Sequence, residues 1–294
     1  MNEISVISLS TSSQHTEASS LSSNKYNALL YGHQWSTVDI TYSIINKTES
    51  LFSDDYLTDN LNELIKGSLN FNPIQAEAIS TALLKWSNVT TINVSEIKET
   101  DNSFGTIRFG LSDNVNTLVG NSSAFAFFPS NIETGGDIWL NANTKDIFGG
   151  IFTGSFSESS FEEASFSYFI LVHEIGHALG LKHPFETSVR NFDTIADDEN
   201  VISNTIMSYT VSLSSDVVGL TSYPTTPMIE DIKAIQHLYG TNNTFNLGNT
   251  SYFFDDSTTY FETIWDSGGT DEIVYSGKQP IELSLDSATG SFIG

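Results

Sequence analysis

Apolar side chains recur along this chain with two periods, and the changes from one to the other mark out its elements. Asn27 to Leu30 suits a short helix, and after it Val38, Ile40, Tyr42 and Ile44 alternate with polar neighbours, as a strand with one buried face does. From Phe71 to Trp86 the spacing becomes helical: Ile74, Ala76, Ala78, Ile79, Ala82, Leu83 and Trp86 share the pattern, with Pro73 placed for a first turn. Short strands are predicted at Ile92 to Val94, Thr106 to Phe109 and Ala124 to Phe128, and another at Asp137 to Leu140 after the turn residues Gly135 and Gly136. A second long helix is predicted from about Glu162 to Leu179, burying Phe166, Phe169, Ile170, Val172, Ile175 and Leu179. A third runs from Pro227 to Tyr239 and stops at Gly240. Strands and long helices interleave, so the fold class is α/β.

The two ends of the chain have a different texture. Residues 1–25 are crowded with Ser and Thr and carry no apolar period, which predicts a flexible leader. Beyond Gly240, Asn, Gly, Thr and Asp separate short alternating runs, which predicts a β-rich unit over residues 241–294 behind a main domain at 26–240.

Composition narrows the function classes. Of 294 residues, 39% are hydrophobic and 12% aromatic, enough for a sizeable core. Acidic residues outnumber basic ones 36 to 11, and the net charge of -25 repels nucleic acid and anionic lipid while leaving carboxylates that suit calcium. There is no cysteine, which removes disulfides, thiolate metal sites and a cysteine nucleophile. No apolar run approaches the roughly 20 residues of a membrane span. The opening MNEISVISLSTSSQ lacks the basic start and apolar core of a secretory signal.

Chemistry is concentrated in HEIGHALGLKHP. On a helix His173 and His177 share a face and can meet one metal ion, with Glu174 beside them as a base. His183 lies too far round a straight helix to join them; Gly180 supplies the positive φ that ends the helix and brings His183 back. Three neutral imidazoles leave one position of a tetrahedral zinc open for water, as a catalytic rather than a structural site requires. Zinc lowers the pKa of that water from about 15.7 towards about 7, within reach of a carboxylate base.

With Met207 and Tyr209 in SNTIMSYT, 24 residues beyond His183, this run resembles the metzincin signature and its Met-turn, specifically that of the serralysin-type secreted bacterial zinc metalloproteases. The resemblance implies a twisted mixed sheet with long helices, followed by the start of a β-rich C-terminal domain. It implies a structural role for Met207 beneath the zinc, and a catalytic one for Tyr209, which ligates zinc at rest and binds the oxyanion in turnover. The tryptophan usual after that tyrosine is Thr210 here. In the family, the strand matching Ala124, Phe125, Ala126 and Phe127 pairs with extended substrate. Asn246, Gly248, Thr250, Asp266, Gly268 and Asp271 match the segments that clasp calcium, with Asn246 in place of the usual arginine. A removable leader, protein substrates, a proteinaceous protease inhibitor, a monomeric state and signal-peptide-independent secretion to the extracellular space are implied as well. The family's GGxGxDxUx repeats are represented by at most the imperfect GGTDEIVYS at 268–276, so the C-terminal unit is expected to be incomplete.

These observations predict a secreted zinc endopeptidase in which Glu174 is the general base. The alternative is a catalytically silent zinc- and calcium-binding module that captures peptides or mediates adhesion. Chelator-sensitive cleavage of an unfolded protein separates the two.

Overall fold

In the computed structural model, which describes residues 6–8, 24–47, 52, 53, 56, 59–100, 103–148, 151–211, 222–257, 259–283, 292 and 293, the alternating run at Val38 to Ile44 lies inside a six-stranded mixed sheet. Most of the predicted leader falls outside the described residues; its β1 (Val6–Ser8) pairs antiparallel with β2 (His33–Trp35), and a 3₁₀ turn at Lys25–Leu29 lies between. Next, β3 (Asp39–Ile44) buries Ile40 and Tyr42. The helix α1 (Asp59–Lys66) and the short β4 (Ser68–Leu69), absent from the sequence prediction, lead to α2 (Pro73–Val89).

Local chemistry sets where α2 begins. The Asn72 side chain accepts from the Gln75 amide at 2.9 Å, the Gln75 side chain accepts from the Asn72 amide at 3.0 Å, and Pro73 fills the first helical position. Ile79, Ala82, Leu83, Trp86 and Val89 form its buried face, while Ile74, in the first turn, stays 61% exposed. Then β5 (Asn93–Glu96), β6 (Ile107–Ser112), the short α3 (Val115–Val119), β7 (Ala124–Ala126) and β8 (Ile138–Asn141) give the strand order β5-β3-β6-β8-β7, with β4 paired to β6. Neighbours run parallel except β7 with β8 and β4 with β6, so β7 is an antiparallel edge.

A hairpin of β9 (Lys145–Phe148) and β10 (Ile151–Ser155) precedes α4 (Phe166–Ala178). This helix starts four residues later than the periodicity predicts. Phe161 and Ala164 have positive φ, so residues 161–164 do not continue a helix, and Ser165 caps it by accepting from Tyr168 N at 3.1 Å. Asp146 of β9 accepts from Ser167 N at 2.8 Å, placing a carboxylate at the positive end of the helix. The next helix among the described residues is α5 (Ile229–Tyr239), followed by β11 (Ser251–Phe254) parallel to β12 (Glu272–Tyr275), and an antiparallel pair of β13 (Ile281–Glu282) and β14 (Phe292–Ile293).

The main core lies where α2 and α4 meet the sheet, and Trp86 Nε1 donates to Val172 O at 3.1 Å across the two helices. A second core of Ile45, Tyr56, Leu61, Leu64, Val115 and Trp139 is separate from it. Phe261 and Trp265 of the C-terminal stretch pack against the main core. No described helix is long and apolar enough to cross a membrane.

Candidate metal centre

The end of α4 makes the bend that the spacing of its histidines demands. Gly180 has φ of +108°, its amide bonds His177 O, and Leu181 N reaches back to Gly176 O, the paired bonds of a Schellman cap. A Cβ at Gly180 would lie 2.3 Å from His33 O, so the glycine is needed for space as well as for angle. The turn brings His183 Nε2 to 3.2 Å from His173 Nε2 and 3.1 Å from His177 Nε2. Among the described residues, these three form the one convergent group of metal-binding side chains.

Their outer nitrogens decide which way the inner ones can act. His173 Nδ1 bonds Ile206 O at 2.6 Å, His177 Nδ1 bonds Leu181 O at 2.7 Å, and the Glu186 carboxylate stands 2.9 Å from His183 Nδ1. The carbonyl acceptors fix the proton on Nδ1 of His173 and His177, and the Glu186 carboxylate faces Nδ1 of His183 as an ion-pair partner, so three Nε2 lone pairs face one another. That arrangement is repulsive without a cation between them, and three neutral nitrogen donors suit zinc. Burial, with the neighbouring imidazoles, lowers His173 to about 3 and lowers His177 as well; His183 is lowered by burial against the pull of Glu186. All three are therefore held in the neutral form that a metal requires.

Glu174 is buried, and its Oε2 has no protein hydrogen-bond partner among the described residues. Burial pushes its carboxyl up to about 8. The Tyr209 hydroxyl lies 2.6 Å from His183 Nε2, at the point on which the imidazoles converge, although much of its ring is exposed. Desolvation first, and then the Glu174 charge, raise its phenol. Met207 is fully buried, and its Sδ would be 2.7 Å from a Cβ at Gly176, so the turn packs directly against α4.

One residue of this assembly goes unread in the sequence. Asp231, buried in the first turn of α5, accepts from Thr205 Oγ1 at 2.5 Å, Ile206 N at 2.8 Å and Met228 N at 2.8 Å, tying the methionine turn to that helix. Burial raises its carboxyl to about 7. Its only sequence signal is an acid at a helix start, which describes many exposed residues equally well.

At the sheet edge, Asn141 N bonds Ser123 O and Phe127 N bonds Asp137 O. The odd-numbered residues of β7 therefore spend their backbone groups on β8, and those of Ala124 and Ala126 face outward. The side chains divide by the same alternation. Ala126 lies against the main core with Ala124, whereas Phe125 and Phe127 pack on the second core. Phe128 is the residue that reaches the centre: its ring stands edge-on to His177 at 5.3 Å and stacks on Tyr31 at 3.6 Å.

The six residues matched to a calcium clasp are gathered around the start of β11 and the turn before β12. Asn246 Nδ2 donates to Tyr252 OH, which donates to Asp266 Oδ2 at 2.6 Å; Asp266 Oδ1 accepts from Gly268 N at 2.8 Å. Thr250 N bonds Asp271 Oδ1 at 3.0 Å, and Thr250 Oγ1 bonds Gly248 O at 3.2 Å. Two carboxylates and several other oxygens lie along these turns, held by hydrogen bonds within the group, with Asp271 and Gly248 exposed and the other four half-buried.

Comparison with known proteins agrees with this geometry. Residues 34–204 match the matrixin family of peptidases. The chain is 32% identical over 277 residues to serralysin G of Dickeya chrysanthemi, covering 87% of this chain and 53% of that protein. It is 30% identical over 289 residues to a serralysin of Photorhabdus sp. (strain Az29), covering 90% of this chain and 55% of that one. The chain thus spans about half the length of the curated relatives it matches. A matrixin match across the sheet, α4 and the histidine loop, and serralysin likeness over nearly the whole chain, show that it belongs to the matrixin peptidases as a serralysin-type metzincin.

Proposed function

We propose that this chain is a zinc endopeptidase that cuts extended protein substrates. The observation that carries the proposal is the convergence of three Nε2 lone pairs beside a buried carboxylate with an unpaired oxygen. His173, His177 and His183 would hold the zinc, which supplies the positive charge that polarises a peptide carbonyl and acidifies water. Glu174 takes the proton from the attacking water and returns it to the leaving amine. Burial raises its pKa, which gives the carboxylate the proton affinity that a general base needs. Tyr209, placed at the convergence point, donates its hydroxyl hydrogen bond to the oxyanion.

The outward backbone groups of Ala124 and Ala126 offer a peptide an edge to pair with. Main-chain pairing holds a peptide in register whatever its side chains are, so we infer broad substrate use. A proteinaceous inhibitor would cover the same edge. Extracellular work as a monomer, a removable leader and a calcium ion at Asn246, Gly248, Thr250, Asp266, Gly268 and Asp271 belong to the same proposal. They rest on family likeness and, for calcium, on the clustered oxygens.

Unfolded casein tests the central claim. Cleavage that stops with a zinc chelator and returns with added zinc is expected. Stoichiometric zinc with no cleavage would leave the silent peptide-binding module as the better description.

A further inference from the structure

One residue before His183, three carbonyls from separate stretches of chain converge on a single buried ammonium. Lys182 is 2% exposed. Its Nζ donates to Ala28 O in the 3₁₀ turn, to Glu186 O at 2.6 Å and to Asp193 O at 2.9 Å. Withdrawing an ammonium from water costs several kcal/mol unless its protons are taken up, and three donors meeting three acceptors is the arrangement that offsets this. A lysine stem left on the surface would avoid the cost altogether. The burial therefore calls for a role that these contacts perform.

All of them serve the loop that carries His183. His173 and His177 are fixed by α4 itself, but His183 stands beyond the helix cap, where no helical bond orients it. Its ring is set by two neighbours in the same loop: Phe185 stacks on it at 5.1 Å with an interplanar angle of 3°, and Glu186 meets Nδ1. Lys182 holds the backbone of Glu186 on one side and that of Asp193 on the other, and anchors both to Ala28. The seam between the loop and the N-terminal turn is closed further by Lys182 N to Leu29 O, by Tyr31 N to Gly180 O, and by Asn191 Nδ2 to Asn27 O and Leu30 O.

We propose that Lys182 is a positioning residue of the metal centre, pinning loop 183–193 to the N-terminal turn so that Glu186 stays on His183 Nδ1 and His183 Nε2 stays on the point shared with His173 and His177. The proposal rests on the zinc reading above. It separates two kinds of stabilisation. A lysine that merely fills space would support the fold equally with and without the metal, whereas a positioning lysine contributes most when all three imidazoles must meet one ion.

The test uses the full chain loaded with zinc, following zinc transfer to a chromogenic chelator together with melting temperatures before and after stripping. Lys182→Met is expected to release zinc about tenfold faster or more, the usual scale for loss of an outer partner of a metal ligand, and to shrink the rise in melting temperature that zinc confers. Lys182→Arg keeps the charge but replaces a compact ammonium with a planar fork, and should fall between. Ser188→Ala removes the bond from Ser188 Oγ to Tyr31 O in the same seam, together with the bonds of that hydroxyl to the backbone of Arg190 and Asn191, without touching the ammonium, and should leave release within about twofold of the parent. Release at the parent rate by Lys182→Met, with both melting temperatures lowered equally, would overturn the proposal in favour of plain structural support. If Lys182→Met does not fold, parent-like release by a folded Lys182→Arg overturns it too. A parent chain that binds no zinc would instead sink the metal reading, and this proposal with it.

Discussion

At the histidine centre the side chains are buried or, for His183, half-buried, come from one helix and the loop closing it, and each imidazole has a protein oxygen facing its outer nitrogen. At the turns around β11 and β12, Asp271 is exposed and Asp266 half-buried, and both are held by hydrogen bonds inside their own cluster. In the first region the fold builds a ligand frame with its own free energy, drawn from the apolar core around α4. In the second, strands of four residues with exposed faces bury too little apolar surface to do that. Zinc would enter a prepared site, while calcium would supply part of the order of its own.

The largest effect that sharpens this contrast is the loss of the base from the prepared frame. Glu174→Ala should lower casein cleavage by about three orders of magnitude or more, since general-base catalysis is removed. Zinc measured by atomic absorption should stay near one per chain, because no ligand is touched. Zinc lost along with activity would mean that Glu174 supports the frame, and the assigned division of labour would be wrong. Tyr209→Phe comes next. It deletes one hydroxyl at the convergence point, so kcat should fall by about a hundredfold with KM within about threefold, the pattern of a transition-state hydrogen bond. A rise in KM at unchanged kcat would assign Tyr209 to substrate binding.

A prepared site also stores a cost, and pH reveals it. Burial raises Glu174 from 4.5 to about 8. A carboxyl raised in the folded state contributes full stability below its unfolded pKa and loses it as pH climbs through the folded value. Metal-free Glu174→Gln, which cannot ionise, should therefore match the parent near pH 4.5. It should then gain on the parent by about 1.4 kcal/mol per unit until about pH 8. Parallel curves from denaturant titrations across that range would show that the carboxyl is not penalised. Asp266 behaves in the opposite sense: its Tyr252 bond lowers its pKa, so its contribution is present above 3.8 and is lost only as pH falls below that. The two regions thus respond in separate pH windows.

How far the sequence foretold all this follows the same divide. His173, His177, Gly180 and His183 were legible because helix geometry and one positive φ fully determine where they go. The strand at Val38 to Ile44, α2 and α5 were legible by period. The start of α4 was not: Glu162 to Ser165 carry helix-compatible residues, and only the positive φ at Phe161 and Ala164 and the distant Asp146 cap move it to Phe166. Phe128 was read as the last residue of a strand, and its place against His177 depends on the pleat and on a partner, Tyr31, 97 positions away. Asp231 and Lys182 escaped for a related reason. Both are charged residues whose burial is decided by backbone groups far along the chain, where no local period reports it.

The smallest predicted effect bears on the less prepared region. Asp271 Oδ1 accepts from Thr250 N, so Asp271→Asn keeps an acceptor of the same shape and removes only the charge. Hydrogen bonding at the turn should survive, but a hard cation loses an anionic oxygen and with it much of its affinity. Calcium at about a hundred times its dissociation constant stabilises by about 2.7 kcal/mol, which for a chain of this size is a rise of several degrees in melting temperature. The parent should show that rise and Asp271→Asn should lose most of it, while their casein cleavage and zinc content remain alike at 25 °C. An equal calcium-dependent rise in both would place the ion away from Asp271. A fall in zinc content in the variant would show that the two regions share one stability, and that the contrast between prepared and ion-ordered sites is drawn too sharply. The packing of Phe261 and Trp265 on the main core is the route by which that coupling would travel.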